Sequence, residues 1–220
     1  MMDRAVLPHD REPTDDIWQV LFTQRAIRYW QDRPVPRVLL EQVISAASQA
    51  PSGENSQPWI FIVVDEEQQR AQIGTALREL YNRTTQLQTL FEDGAKSDDL
   101  SQRLMLTGAR AFFTSLEKAP ALIIPCLYRL SSPTPDPASL LAGSSIYLAV
   151  QNALLSARAL GLGTVMSTAH VMIDTALRRI LSLPTDAFPV ALIPIGYPAV
   201  NFGPTRRKDV HEILKWNTWS

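Results

Sequence analysis

Residues 138–160 carry a single charge, Arg158, and no proline, and they are apolar on nearly every side. As a helix rising ~1.5 Å per residue, the segment would extend about 35 Å, enough to run through the middle of a domain. A helix that is apolar all round has to be covered, by its own domain or by its copy in a second subunit. Gln151, Asn152, Arg158 and several serines argue against a lipid-facing span. Gly161 follows at the position where helices end on a left-handed residue.

The rest of the chain is consistent with one core. At 220 residues it lies within the range of single domains, and it has no internal repeat and no linker. A net charge of -1 gives no reason to expect nucleic acid or an anionic membrane surface as partner. The lone cysteine, Cys126, excludes an intrachain disulfide framework and a cysteine-based zinc cluster, and its apolar surroundings suit an inert buried thiol. No apolar leader-like run opens the chain, so a cytoplasmic location is expected.

Residues 1–15 are polar and are expected to form a loose arm. Apolar spacing predicts helices over 17–22, 37–49, 66–81 (capped by Asp65), 104–116 and 174–181. Three short apolar runs, 60–64, 121–127 and 190–195, read as buried strands, the first covered on both faces. Pro125 marks the second as a sheet edge or a strand end. Residues 82–100 are polar and glutamine-rich, so 82–118 is expected to be a lid or a surface excursion. A tail over 199–220 ends in Trp216 and Trp219, which need apolar surface that a partner subunit would supply.

Two stretches stand out as candidate ligand contacts. Residues 51–59 hold Pro51, Gly53 and Pro58 with Ser52, Asn55, Gln57 and Trp59, between a helical pattern and a strand. Proline fixes φ and removes a donor, and glycine permits positive φ, so neither neighbour can continue through. The outcome is an ordered polar turn: a plain helix–strand connection, or a set of donors and acceptors for one flat polar partner. Arg25 and Arg28, three apart among apolar residues, are either solvated or aimed at a phosphate or carboxylate.

Taken together, separated stretches resemble the FMN-dependent nitroreductase family. Gln24-Arg25-Ala26-Ile27-Arg28 looks like its Arg-Arg-Ser-Ile-Arg motif, followed by Pro34-Val35-Pro36. Ala50-Pro51-Ser52 through Gln57-Pro58-Trp59 is similar to its Ala-Pro-Ser-x-x-Asn-x-Gln-Pro-Trp motif at every specified position. Gln151-Asn152 with Gly161-Leu162-Gly163 resembles its central helix and following glycine pair, and Gly196-Tyr197-Pro198 with Arg206-Arg207 its closing strand and basic tail.

The resemblance implies an α+β fold, helices around a mainly antiparallel central sheet, as an intertwined homodimer with FMN at the subunit interface. It also implies NADH or NADPH as hydride donor and a small-molecule electron acceptor. Carried over by position, Arg25, Ala26 and Arg28 with Arg206 and Arg207 would surround the phosphate and ribityl end. Pro51, Ser52, Asn55 and Gln57 would meet the flavin from the other subunit, with the backbone of Met166, Ser167 and Thr168 near its ring. Arg28 is a candidate stabiliser of charge on the flavin. Gln24, Ala26 and Thr205 depart from the pattern, so weaker phosphate anchoring is expected.

Other chemistries lack their signatures. There is no GxSxG elbow, no HExxH, no Rossmann fingerprint and no metal-ligand spacing. His170 follows the glycine pair and could approach the flavin, and Glu54 sits at a variable position of the turn. The expected reaction is ping-pong reduction of a nitro compound, quinone or enone. The rival readings are a specialised member (reductive dehalogenase, flavin-fragmenting enzyme, azoline or amine dehydrogenase) and a non-catalytic flavin-binding dimer.

Overall fold

A computed structural model describes residues 10–219; of the arm expected over 1–15, residues 1–9 lie outside the described residues. In chain order the elements are α1 (Ile17–Thr23), α2 (Arg37–Ala47), β1 (Trp59–Val64), α3 (Glu67–Arg83), α4 (Thr85–Ala95), α5 (Leu100–Ser115) and β2 (Ala121–Tyr128). There follow α6 (Gly143–Ala159), β3 (Gly163–Thr164), α7 (Asp174–Leu181), β4 (Ala187–Pro189), β5 (Ile193–Gly196) and α8 (Val210–Ile213). The strands form one sheet in the order β1-β2-β5-β3, with β4 beside β2, and every strand pairing is antiparallel. The fold is α+β, helices around an antiparallel sheet.

β2 explains the layering. Successive side chains point to opposite faces. Leu122, Ile124 and Cys126 enter a core with Ile73, Leu77, Phe112 and Leu177, so α3, α5 and α7 cover that face. Ala121 and Ile123 join Leu40, Val43, Ala47, Val150, Ala153 and Ala157 of α2 and α6 on the other. A strand roofed on both sides has no polar position to offer, hence its unbroken apolar run.

Pro125 does not mark an edge. β2 lies between β1 and the β5/β4 pair, and its register partners on the latter side change from β5 at residues 121–123 to β4 at 126–128. Pro125 occupies the gap, where no ladder asks for its missing N–H, while its carbonyl accepts from Val190 N at 2.9 Å. β1 is the true margin. Of its residues only Val64 is buried and Ile60 is exposed, because helices roof the sheet incompletely there; burial on both faces is not met.

α6 starts later than expected, after a short 3-10 turn at Leu140–Ala142, and is covered on one side only. Ile146, Ala149, Val150, Ala153 and Ala157 are buried, while Tyr147, Leu148 and Gln151 face out. The span Leu140–Ala159 is long and apolar enough to cross a membrane by composition, yet in this fold it packs against α2 and the sheet. It ends as expected. Gly161 takes φ 74°, its N–H donates to Arg158 O and that of Leu162 to Ala157 O, closing a Schellman turn.

Two more expectations are corrected. Asp65 does not cap α3, because both its oxygens accept from Arg37 at 2.6 and 3.1 Å; Glu66 caps instead, accepting from Gln69 N at 2.8 Å. Residues 10–15 are not loose: Thr14 N donates to Ala159 O, Arg158 Nη1 to Glu12 O, and Phe202 N to Asp10 O. Residues 82–118 are organised as a helical hairpin of α4 and α5, the second being the helix expected from residue 104. α4 and α5 meet where Gly94 lies under Leu106, over a small core of Tyr81, Phe91 and Leu106. In the tail the short α8 is stabilised at its start by an Asp209–Glu212 capping box, but Trp216 and Trp219 remain 77% and 91% exposed.

Candidate functional site

The 51–59 turn is ordered and strained. Its centre is a 3-10 turn over Gly53–Asn55, closed by Asn55 N donating to Ser52 O and Ser56 N to Gly53 O. Glu54, Asn55 and Gln57 all take left-handed φ, at 53°, 55° and 46°, half of the six non-glycine residues that do so among the described residues. Side chains disfavour that region, so three such residues in four store strain that the surroundings must hold. Gly53 supplies space rather than positive φ: a Cβ there would stand 2.9 Å from Ser132 Oγ, while its N–H donates to Ser145 Oγ.

The strain arranges polar groups. Ser52 Oγ accepts from Gln57 N at 2.9 Å, and Gln57 Nε2 donates to Asn55 Oδ1 at 3.2 Å. Asn55 Nδ2 and Gln57 Oε1 then have no hydrogen-bond partner among the described residues, and both residues are exposed. One donor and one acceptor thus stand on a rigid turn, suited to the edge of a flat heteroaromatic ligand.

The second group lies at the β3 margin. Ile27 N donates to Thr164 O at 2.8 Å and Ala26 forms a parallel bridge with Thr164, so residues 25–28 run along β3. Trp30 Nε1 donates to Gly163 O, fixing the far end. Thr205 N donates to Phe22 O, which brings Arg206 and Arg207 to the start of the same stretch. Met166 and Thr168 are exposed just beyond β3, and Ser167 is tied to Leu192 by two backbone hydrogen bonds. Arg25, Ala26, Arg206 and Arg207 are exposed.

Arg28 is half-buried, with no hydrogen bond or ion pair on its guanidinium among the described residues. Burial lowers its pKa; Tyr29 opposes this and Arg25 adds to it. A desolvated cation without a counter-charge is costly, and a bound anion or carbonyl oxygen would relieve it.

The two groups do not meet within one chain. β1 and β3 are the opposite margins of the sheet. Three strand steps of ~4.8 Å separate them, about 14 Å.

His170 is buried, at 6% exposure, with Nδ1 unpartnered among the described residues. Glu54 is solvent-exposed and Cys126 is buried, its thiol pushed up by burial to about 11. A groove of about 590 Å³ between α2 and β1 and another of about 510 Å³ beside Tyr197 and Gly161 contain none of the predicted ligand contacts. Among the described residues no His, Cys, Asp and Glu cluster could hold a metal.

Two contributors were missed in the sequence. Arg158, read only as an argument against a membrane span, is 1% exposed and gathers the chain behind the β3 margin: Nε donates to Thr23 Oγ1 at 2.8 Å and its guanidinium lies 4.1 Å from the Phe202 ring. A lone charge in an apolar helix was the available signal. Gly108 of α5, against which the Arg28 stem lies, gave none.

Comparison with known proteins gives a consistent result. A model of the nitroreductase family matches residues 21–197. A protein provisionally named NADH dehydrogenase/NAD(P)H nitroreductase, from Methanothermobacter thermautotrophicus, is 32% identical over 190 residues, covering 86% of this chain and 80% of that one. An iodotyrosine deiodinase of Haliscomenobacter hydrossis is 29% identical over 191 residues, covering 84% and 80%. Among solved structures, an oxidised iodotyrosine deiodinase bound to FMN and 3-iodo-L-tyrosine shares the fold at a TM-score of 0.71 and 22% identity, covering 92% of this chain and 100% of that one.

Proposed function

This chain belongs to the nitroreductase family, and from that premise we propose that it is an FMN-dependent NAD(P)H oxidoreductase acting as a homodimer on small conjugated or aromatic electrophiles. The observation that carries the reading is Arg28, a half-buried guanidinium without counter-charge among the described residues, on the stretch whose Ala26 and Ile27 pair with Thr164 of β3. The residues present fit FMN: cations at one margin for its phosphate and reduced edge, and a rigid amide donor and acceptor at the other for its ring.

When bound, FMN would supply the redox chemistry that links a nicotinamide donor to the acceptor. The chain's residues position and polarise. Arg25 with Arg207, and Arg206 beside it, offer bidentate contacts to the phosphate. Arg28 places a fixed positive charge in a water-poor site, favouring the more negative, reduced state and raising its potential. Ser52, Asn55 and Gln57 reach the ring from the second subunit. The substitutions at Gln24 and Ala26 leave the phosphate with fewer anchors than the family pattern supplies.

A second reading within the family is reductive dehalogenation of an aromatic substrate, supported by the similarity to iodotyrosine deiodinase over most of the chain. One experiment addresses both. The purified protein is followed by visible absorbance under anaerobic conditions while NADH, then NADPH, is added, and the reduced sample is divided among a nitroarene, a quinone and 3-iodotyrosine. Bleaching by a nicotinamide and recovery with the nitroarene or quinone supports the first reading; recovery with iodotyrosine alone selects the second. A protein that is colourless and takes up no added FMN ends both.

A further inference from the structure

α5 contains a glycine with no conformational reason to be there. Gly108 sits eight residues into Leu100–Ser115, and its φ lies outside the left-handed region. After proline, glycine is the residue a helix interior tolerates least, so some contact must favour it. The contact is Arg28. A Cβ at position 108 would stand 3.1 Å from Arg28 Cδ, 3.5 Å from Nη1 and 3.8 Å from Nε. Gly108 is buried, so the arginine stem crosses the helix through the notch the missing side chain leaves.

We infer that Gly108 is a positioning residue for Arg28: the notch in α5 sets where the guanidinium stands, and so couples the α4–α5 hairpin to the cofactor's charged edge. The inference rests on the reading of Arg28 as a cofactor contact, but the seat can be tested without cofactor. Leu100 and Leu104 lie on the same side of α5, two turns and one turn before the notch, and are 57% and 63% exposed. A ligand that settles on them and shifts α5 would therefore shift Arg28.

The test uses the full chain with Gly108→Ala and Gly108→Leu, each also made in an Arg28→Lys background. Without FMN, the Arg28 Nε–Hε resonance, identified by its loss in Arg28→Lys, should move in Gly108→Ala and further in Gly108→Leu. The melting temperature of Gly108→Ala should not fall, because alanine favours the helix. FMN titration should then show weaker binding, by about tenfold for leucine and less for alanine, with little further loss once Arg28 is lysine. Should leucine prevent folding, the alanine variant decides. A resonance unmoved by alanine, or equal FMN penalties with and without Arg28, overturns the inference. Failure of the wild-type protein to bind FMN would instead sink the proposed function, with the resonance still deciding the seat.

Discussion

Arg158 shows how a single buried charge can organise a fold from within. It stands on α6, donates to Thr23 on α1 and to the Glu12 carbonyl, lies 3.9 Å from Asp10 and has the Phe202 ring over its guanidinium. Three separated stretches therefore converge on one side chain of α6. Truncation would leave Thr23 and the Glu12 carbonyl without their donor, and the cost of breaking such a site is about 3 kcal/mol. Arg158→Ala should lose about that much in urea unfolding, and Arg158→Lys should recover little, because an ammonium cannot serve Thr23 and Glu12 in the same plane. Asp10→Asn should cost under about 1 kcal/mol, since that carboxylate is partly solvated and more distant. An unchanged urea midpoint for Arg158→Ala would remove the clamp. His170 makes a prediction in pH. Burial lowers its pKa below the ordinary 6.5, against the raising effects of the Ser167 backbone, Asp174 and the Pro189 backbone. The unfolded chain then takes up this proton before the folded one does. Stability is complete above about 6.5 and is lost as pH falls through that value towards the folded pKa. His170→Leu should therefore flatten the decline of melting temperature between about pH 7 and pH 5; an equally steep decline would place the titration elsewhere.

Among the elements, local pattern was a good guide to existence and a poor one to coverage. The helices at 17, 37 and 174, the strands at 60 and 121, and the turn at 51 were legible because each is written in spacing and punctuation. What could not be read was who lies next to whom. Pro125 suggested an edge because proline removes a donor, but its place between two partner strands made that donor unnecessary. Asp65 looked like a cap until Arg37, 28 residues away, claimed both its oxygens. In the hairpin at 82–118 the helix from 104 was legible, but α4 was not, because the polar, glutamine-rich composition of 82–100 masked its one apolar face. The hairpin's two buried glycines look alike in sequence and should behave differently. A Cβ at Gly94 would overlap the stem of Leu106, where α4 meets α5, so Gly94→Ala should destabilise by about 1–3 kcal/mol despite alanine's helix preference. Gly108→Ala faces only a flexible arginine and should not. If the hairpin also touches the acceptor, Leu100→Gln with Leu104→Gln should change relative kcat/KM across a nitroarene and quinone panel while leaving the melting temperature alone. Identical preference would make the hairpin a structural cover.

At the scale of the whole molecule, the geometry poses a question that neither motif states alone. Both motifs were legible residue by residue, because backbone-restricting residues and arginines are conspicuous. Their separation was not, because strand order is a property of the complete sheet. Within one chain the turn bearing Asn55 and the stretch bearing Arg28 lie at opposite sheet margins, an arrangement that suits the proposed site shared between two chains. The exposed face of α6 and the exposed Trp216 and Trp219 are apolar surfaces such a dimer could cover. Removing residues 199–220 should accordingly weaken the dimer in light scattering. The sharper test is complementation. Arg28→Ala and Asn55→Ala are each expected to impair FMN-dependent turnover as homodimers. If every site draws Arg28 from one subunit and Asn55 from the other, a mixed dimer holds one site with both substitutions and one with neither. Unfolding and refolding the two variants together at equal amounts makes about half the molecules mixed, each with one intact site of two, so activity should return to about a quarter of wild type. If instead each chain builds its own site, every site in the mixture carries one substitution and nothing returns. Recovery near that level would assign the two margins to one shared site; its absence, with mixed dimers verified by mass, would separate the turn from the arginines and leave Arg28 to serve a site contained in one subunit.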